Sequence, residues 1–205
     1  MDILDDAINF ATEVHRGQTR KLSGIPYILH PMEVAAIIGT MTNEREVMAA
    51  GMLHDTIEDC GVDPLLIRDR FGSRVFALVQ SETEDKMDHR PAEETWQERK
   101  ADSLLMLKHA KDRGAKLLWL ADKLSNLRSF YKERLAAGDT IWNVLHQKDP
   151  KMQRWYYATV AEYLYSDLKD EAAYREYTEL IYKVFDLTPE EIRRLDDGAR
   201  IRRDK

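Results

Sequence analysis

The sequence predicts an all-α fold, and three observations lead to that prediction. Strong helix formers such as leucine, alanine, glutamate, lysine and arginine dominate the 205 residues. Only nine glycines and six prolines interrupt them. No segment alternates apolar and polar residues clearly enough to predict a strand. At this length we expect one compact domain over residues 1–186, followed by a short C-terminal helix and charged tail over residues 187–205.

Three helices are predicted in the first third of the chain. Apolar residues recur at three- and four-residue intervals over residues 3–14, which places them on one helical face. The stretch HRGQTRKLSGIPY is expected to be a loop. Pro31 suits the first position of a second helix, because a missing N–H costs nothing there. Asn43 and Glu46 have the spacing of a capping box, which predicts one helix from about Glu44 to Asp59.

The middle of the chain continues the helical pattern. Short helices are expected over residues 64–71 and after Ser73, separated by Gly72. A polar connection, DKMDHRPAEE, then precedes a long helix through WQERKADSLLMLKHA, which we expect Gly114 to end.

The most regular apolar stripe follows, and it predicts a buried helix running to about Ala137 at the centre of the core. Its members are Leu117, Leu118, Leu120, Ala121, Leu124 and Leu127. Two more helices are expected at about residues 151–168 and 171–185. Thr188, Pro189 and Glu191 have the spacing of a helix N-terminus, which predicts a last short helix from Thr188.

Composition excludes several classes of protein. A formal net charge of −6 argues against a general nucleic-acid binder, which needs a basic surface to contact phosphates. No window approaches the roughly 18 apolar residues of a membrane-spanning helix. The single cysteine, Cys60, cannot form an intramolecular disulfide, and the N-terminus lacks the features of a signal peptide. These observations favour a cytoplasmic protein.

Ionisable residues crowd into the segment GMLHDTIEDC. His54 and Glu58 lie four residues apart, as do Asp55 and Asp59, so each pair shares a strip of one helical face. Imidazole and carboxylate together suit a borderline to hard divalent cation. The segment therefore predicts part of a metal site.

Further ligands must come from elsewhere, and His30 and Asp122 are the best candidates. His30 lies at a loop-to-helix junction, and Asp122 lies beside the apolar stripe, where an unpaired carboxylate is costly. Taken singly, His30 could be a helix cap or surface group, and Asp122 could pair with Lys123 or Arg128. The joint arrangement of all these residues is what favours a metal site.

Three blocks, GQTRKLSGIPYILHP, LHDTIED and LADKLSNLRS, carry a family resemblance. Over approximately residues 3–131 the chain resembles the hydrolase domain of RelA/SpoT homologues, especially the free-standing small alarmone hydrolases. The resemblance implies an all-α HD-domain bundle and a divalent metal, usually Mn²⁺. It implies that the metal is held by His30, His54, Asp55 and Asp122, and that Glu58 and Asp59 serve hydrolysis.

The implied reaction is hydrolysis of ppGpp and pppGpp at the 3′ position, which releases pyrophosphate and leaves GDP or GTP. A metal shields phosphate charge and lowers the pKa of water, so a nearby carboxylate can accept the proton. Glu58 is preferred over Asp59 as that base. By resemblance Arg20, Lys21 and Asn126 contact the guanosine polyphosphate substrate, although Arg20 and Lys21 could also form an ordinary solvated loop. Arg16 is a further candidate for a contact with the substrate.

Other functions remain open at this point. Another HD phosphohydrolase, acting on the 2′-phosphate of NADPH or on a nucleoside monophosphate, would use the same metal motif. A non-catalytic alarmone sensor would keep the fold, and a purely structural bundle would not explain the polar residues beside the core. Tyr27 is expected to pack, and Trp155 and Tyr156 either stack on guanine or fill the core. The identity of the metal and the oligomeric state stay undetermined.

Overall fold

The computed structural model describes residues 2–87 and 89–187, and most of these residues are helical. No strand occurs among them, although an isolated β-bridge joins Thr19 and Pro26 in the loop after the first helix. The all-α prediction is confirmed. The described helices are α1 (Ile3–Val14), α2 (Leu29–Gly39), α3 (Arg45–Leu53), α4 (Thr56–Cys60), α5 (Pro64–Gln80), α6 (Ala92–His109), α7 (Arg113–Ala137), α8 (Pro150–Leu168) and α9 (Ala172–Val184), with a 3₁₀ helix (Gly138–Val144) between α7 and α8.

Helix α7 is the centre of the fold. It contacts α2, α3, α5, α6, α8 and α9. All six members of the predicted apolar stripe are at most 1% exposed, because the helix is surrounded by neighbours on most of its circumference. The prediction that this stripe lies in the core is confirmed. A polar residue on α7 that faces inward must therefore find a partner inside the protein.

Helices α2 and α3 approach each other closely at Gly51. A Cβ atom at this position would lie 2.7 Å from Cδ1 of Ile38 and 3.3 Å from Cα of Ala35. Any larger residue would push the two helices apart. This contact sets the distance between the two elements that carry His30 and His54.

Helix α2 begins two residues ahead of its predicted start, and α3 begins within one residue of its predicted start but without the predicted capping box. Helix α2 begins at Leu29, so Pro31 lies inside its first turn, where a backbone N–H is still not needed. The capping box at Asn43 does not form, because Glu44 is the N-cap residue of α3 and caps without its side chain. Glu46 instead pairs with Arg74 on α5, 3.2 Å away.

The predicted single helix over residues 44–59 is divided. Helix α3 ends at Leu53 and α4 begins at Thr56, so His54 and Asp55 lie at the junction. Gly61, in the left-handed region with φ of 65°, ends α4 after five residues. The junction allows His54 and Asp55 to turn toward the same point.

The middle helices differ from expectation at their ends. Helix α6 begins at Ala92, ahead of the predicted start near Trp96, and it ends at His109 rather than at Gly114. Gly114 lies in the first turn of α7, where its N–H donates to Oδ1 of the N-cap residue Asp112 over 2.6 Å. Gly72 separates the two parts of α5 as predicted, with φ of 89°. The 3₁₀ helix was not predicted.

Helices α8 and α9 match their predicted bounds to within about two residues. The last predicted helix, at Thr188, and the charged tail lie outside the described residues, and so does nearly all of the segment 187–205 that we separated from the main domain. None of the described helices combines the length and the apolar composition that crossing a membrane requires.

Candidate active site

Four predicted metal ligands come together between α2, α7 and the junction of α3 and α4. Nε2 of His30 lies 3.0 Å from Oδ1 of Asp122 and 3.6 Å from Oδ2 of Asp55. Nε2 of His54 lies 3.0 Å from Oδ2 of Asp55 and 3.6 Å from Oδ1 of Asp122. We refer to His30, His54, Asp55 and Asp122 as the His/Asp cluster.

The second nitrogen of each imidazole has a partner that fixes the tautomer. Nδ1 of His54 lies 2.9 Å from the carbonyl oxygen of Gly51, which can only accept, so Nδ1 carries the hydrogen. Nδ1 of His30 lies 2.9 Å from Oγ of Ser125, whose own hydrogen goes to Glu33 over 2.6 Å. Nδ1 of His30 is therefore also the donor. Both Nε2 atoms therefore carry no hydrogen in the neutral ring and point toward the carboxylates of Asp55 and Asp122, as in metal-binding histidines.

Burial and neighbouring charges shift the pKa values of the four cluster residues. Burial lowers the pKa of His30 and so favours its neutral ring. For His54 burial acts in the same direction, but the carboxylates of Asp55 and Asp122 outweigh it and raise its pKa. Burial opposes ionisation of Asp55 and Asp122, yet the neighbouring imidazoles and Lys123 hold their pKa values below the usual range. The carboxylates of Asp55 and Asp122 thus draw positive charge to this point.

The residues of the cluster fit a divalent cation. Ligand atoms of His30, His54 and Asp122 lie within 4.8 Å of one another. Nε2 of His54 is buried and has no hydrogen-bond partner among the described residues, although Oδ2 of Asp55 is 3.0 Å away. Carboxylate oxygens of Asp55 and Asp122 lie 3.0 and 3.6 Å from this nitrogen, so a cation placed among these atoms would have both kinds of ligand. Two nitrogens and carboxylate oxygens suit Mn²⁺, Fe²⁺ or Zn²⁺.

Glu58 and Asp59, here called the acidic pair, lie on α4 beside the cluster. Oδ1 of Asp59 accepts from Nζ of Lys86 over 2.9 Å, and the same ammonium donates to the carbonyl oxygen of Glu58 over 2.6 Å. Oε2 of Glu58 accepts a long bond of 3.3 Å from the backbone N–H of Glu84. Burial raises the pKa of Glu58 to about 7, and the charges of Asp55 and Asp59 add to this. Such a carboxyl can accept a proton near neutral pH.

Tyr27 does more than pack, which sequence reasoning missed. Its hydroxyl donates to Oδ2 of Asp55 over 2.6 Å and also lies 3.1 Å from Oδ2 of Asp59, so it joins the cluster to the acidic pair. Its ring stacks on His15. The position of Tyr27 three residues before His30, in the turn just ahead of α2, was the available signal.

Arg20 and Asn126 form a chain that ends on Asp122. Nη2 of Arg20 donates to Oδ1 of Asn126 over 2.7 Å, and Nδ2 of Asn126 donates to Oδ1 of Asp122 over 2.7 Å. The Arg20 guanidinium also lies over the Tyr27 ring, 5.6 Å from its centroid. Nζ of Lys21 lies 3.0 Å from Nε2 of His146, in the connection before α8.

One cavity of about 720 Å³ is lined by three of the four cluster residues, His30, Asp55 and Asp122. The cavity wall includes the acidic pair, Arg20, Lys21, Lys100, Lys123 and Asn126. Arg16 is not part of this wall and forms an exposed ion pair with Glu13. Tyr156 is buried and contributes to the wall, whereas Trp155 lies against Trp96. The protein therefore places cations around an acidic, metal-compatible centre.

Two charged residues at the bottom of the cavity were not predicted as site residues. Nζ of Lys123 contacts Oδ2 of Asp122 and lies 3.2 Å from Oε1 of Glu82. Burial raises the pKa of Glu82 to about 7, although Lys123 opposes this shift. No local sequence pattern distinguishes Glu82 from the other acidic residues in the stretch SETEDK.

Comparisons with known proteins identify the family and several relatives of this chain. The profile of the HD domain family matches residues 7–148. The chain is 35% identical over 131 residues to the GTP pyrophosphokinase of Myxococcus xanthus, which covers 63% of this chain but 17% of that protein. It is 40% identical over 132 residues to the guanosine-3′,5′-bis(diphosphate) 3′-pyrophosphohydrolase of Danio rerio, covering 62% of this chain and 68% of the relative.

The fold is also found in a solved structure. A metazoan orthologue of SpoT that hydrolyses ppGpp superposes with a TM-score of 0.70 at 24% identity, over 89% of this chain and 95% of that one. At this identity the likeness concerns the fold alone. With the family match, the helical architecture and the His/Asp cluster taken together, the chain belongs to the HD-domain family, on the branch that contains the hydrolase domains of RelA/SpoT homologues.

Proposed function

We propose that this protein is a metal-dependent hydrolase of guanosine 3′,5′-polyphosphates. Water attacks the phosphorus attached to the 3′ oxygen of ppGpp or pppGpp, and the bond between that oxygen and phosphorus breaks. The products are pyrophosphate and GDP or GTP. The observation that carries the proposal is the position of Glu58, a carboxyl of near-neutral pKa beside the His/Asp cluster in a cavity lined by cations.

Glu58 is assigned as the general base and Asp59 as its neighbour that orients the site. Asp59 is engaged by the Lys86 ammonium and the Tyr27 hydroxyl, which restrict its movement. The Glu58 carboxylate accepts only one long bond from the backbone N–H of Glu84 among the hydrogen bonds described for it. The pKa of Glu58, raised to about 7, lets this carboxylate accept a proton near neutral pH.

The substrate requires cations, and the cavity provides them in a protein with a net charge of −6. Arg20 and Lys21 enter from the loop between α1 and α2, and Lys100 enters from α6. The planar Arg20 guanidinium can stack on a base or grip a phosphate, and the ammonium groups act as point charges. Asn126 holds Arg20 at this position in the free protein.

We assign Mn²⁺ to the His/Asp cluster, with His30, His54, Asp55 and Asp122 as its ligands. When bound, a divalent cation neutralises phosphate charge and lowers the pKa of water. The fixed tautomers of His30 and His54 prepare their Nε2 atoms for this task. The relatives from Danio rerio, Aquifex aeolicus and Vibrio cholerae carry the name of the proposed activity. We place the reaction in the cytoplasm, where its nucleotide substrates would be present.

A product assay on purified protein loaded with Mn²⁺ tests the proposal. The protein is offered ppGpp, NADPH and dGMP in parallel, and Asp55→Ala serves as the inactive variant. We expect pyrophosphate from ppGpp alone and none from the variant. Replacing Mn²⁺ by Zn²⁺ or Mg²⁺ in the same assay tests the identity of the metal.

The rival functions give different results in this assay. Free phosphate from NADPH or dGMP, without pyrophosphate from ppGpp, would identify another HD phosphohydrolase that uses the same cluster. Tight binding of ppGpp without any product would identify a sensor.

A further inference from the structure

A buried carboxylate next to the His/Asp cluster has no part in the mechanism above. Glu82 follows α5, and its side chain is 4% exposed. Neither of its oxygens has a hydrogen-bond partner among the described residues, although the carboxylate lines the cavity. An ionisable group that is buried in this way costs free energy unless another charge compensates it.

The compensating charge is the ammonium group of Lys123. It lies 3.2 Å from Oε1 of Glu82 and contacts Oδ2 of Asp122, so it bridges the two carboxylates. Its side chain is 12% exposed and is enclosed by Trp119 and Tyr156, whose ring centroids lie 5.0 Å and 5.9 Å from Nζ. The aromatic faces and carboxylates stabilise the charged form here.

Asp122 thus has two different tasks. Its Oδ1 faces the Nε2 atoms of His30 and His54, whereas its Oδ2 is held by Lys123. Lys123 fixes the orientation of this ligand, but a positive charge beside a metal ligand also repels a divalent cation. A negative charge on the far side of Lys123 cancels that repulsion.

We propose that Glu82 is a positioning residue: its carboxylate neutralises Lys123, so that Lys123 can orient Asp122 without weakening the binding of the divalent metal. The inference rests on the proposed function for the existence of that metal, and it adds a determinant of metal affinity. Glu82 acts through Lys123 and not as a ligand, because its carboxylate lies against the Lys123 ammonium, and that ammonium contacts Asp122.

The test is a calorimetric titration of four metal-free proteins with Mn²⁺. The four are the wild type, Glu82→Gln, Lys123→Met and the double variant. We expect Glu82→Gln to weaken Mn²⁺ binding roughly 10- to 100-fold, as loss of a partner outside the ligand set typically does. The double variant restores the balance of charge, and we expect it to recover at least half of that loss on a logarithmic scale.

Melting of the metal-free proteins accompanies the titration, since a merely structural role would change the melting temperature without changing Mn²⁺ affinity. Unchanged Mn²⁺ affinity in Glu82→Gln overturns the inference. A double variant that binds Mn²⁺ as weakly as Glu82→Gln also overturns it, because that result would identify Glu82 as a metal ligand. If Glu82→Gln does not fold, the comparison of Lys123→Met with the double variant decides instead. Lys123→Met should then bind Mn²⁺ at least as tightly as the double variant, and weaker binding overturns the inference.

The titration contains no nucleotide, so its result does not depend on the proposed reaction. A protein that binds Mn²⁺ but does not hydrolyse ppGpp would refute the proposed reaction and leave this inference standing.

Discussion

The His/Asp cluster and the acidic pair are neighbours, but the protein positions them in different ways. The cluster residues project from α2, α7 and the end of α3, and their orientation depends on hydrogen bonds to Ser125 and the backbone of Gly51. The acidic pair lies on the five-residue helix α4 and is held by groups from two connections, the Tyr27 hydroxyl and the segment 84–86. Folding of the core therefore sets the cluster, whereas loop contacts set the pair.

Replacing Glu58 by Gln should separate the two regions most clearly. The change removes the proposed base and keeps the shape of the side chain, so we expect kcat to fall by about 10²- to 10⁴-fold. Binding of Mn²⁺ should change by less than about threefold, because Glu58 is not assigned as a ligand. Steady-state release of pyrophosphate from ppGpp measures the first effect, and calorimetric titration measures the second.

Glu179→Gln is the matched control for this experiment, since Glu179 pairs with Lys183 on α9 and is not part of the cavity wall. It should keep the wild-type kcat. A Glu58→Gln enzyme with full turnover would remove Glu58 from the mechanism and leave Asp59 as the remaining candidate.

The opposite experiment perturbs the cluster and spares the acidic pair. Ser125→Ala removes the group that accepts from Nδ1 of His30 over 2.9 Å, so the ring loses its fixed orientation. We expect Mn²⁺ affinity to fall roughly 10- to 100-fold, while kcat at saturating Mn²⁺ stays within about fivefold of the wild type. Ser166→Ala, at an exposed site on α8, is the control. Wild-type affinity in Ser125→Ala would show that packing alone orients His30.

The pH dependence of turnover sharpens the comparison further. Burial raises the pKa of Glu58 to about 7, so the carboxyl is mostly protonated below that pH and cannot accept a proton. As the pH rises from about 6 to about 8, the active form grows and kcat should increase roughly tenfold before levelling off. The profile of pyrophosphate release at saturating Mn²⁺ checks this. The same rise in Glu58→Gln would assign the titration to another group.

The smallest effect is expected at the loop that holds the acidic pair. Lys86→Met removes the ammonium that contacts Asp59 over 2.9 Å, in a pair that is more than one-third exposed on each side. Partly exposed ion pairs contribute roughly 0.2–1 kcal/mol, so we expect kcat to fall by less than about tenfold. Mn²⁺ affinity should not change. Lys108→Met on α6 is the control, and a fall in Mn²⁺ affinity specific to Lys86→Met would mean that the two regions are coupled.

The sequence predicted the helical class and the residues of the cluster better than it predicted how they are arranged. Apolar spacing identified α1 and the buried stripe of α7, because periodicity directly reflects which face is covered. It did not reveal the break at Asp55, since residues 44–59 contain no proline and their one internal glycine, Gly51, serves to bring α2 close. That break depends on tertiary contacts.

Residues that act through distant partners were the hardest to predict. Tyr27 looks like any aromatic residue before a helix until folding places Asp55 and Asp59 against its hydroxyl. Glu82 and Lys123 are separated by 41 positions, and nothing local in either segment indicates that the two charges meet beside Asp122. Their pairing is a property of how α5 ends against α7.

The chain of hydrogen bonds from Arg20 through Asn126 to Asp122 has a thermodynamic consequence for ligand capture. In the free protein the arginine is already immobilised at the cavity, so the entropy of ordering its long side chain is lost during folding and not when nucleotide arrives. A nucleotide that takes the guanidinium exchanges one hydrogen bond for another. Selectivity then depends on the difference between these two bonds, and a compound that offers Arg20 a weaker acceptor than the Asn126 amide gains nothing from this contact.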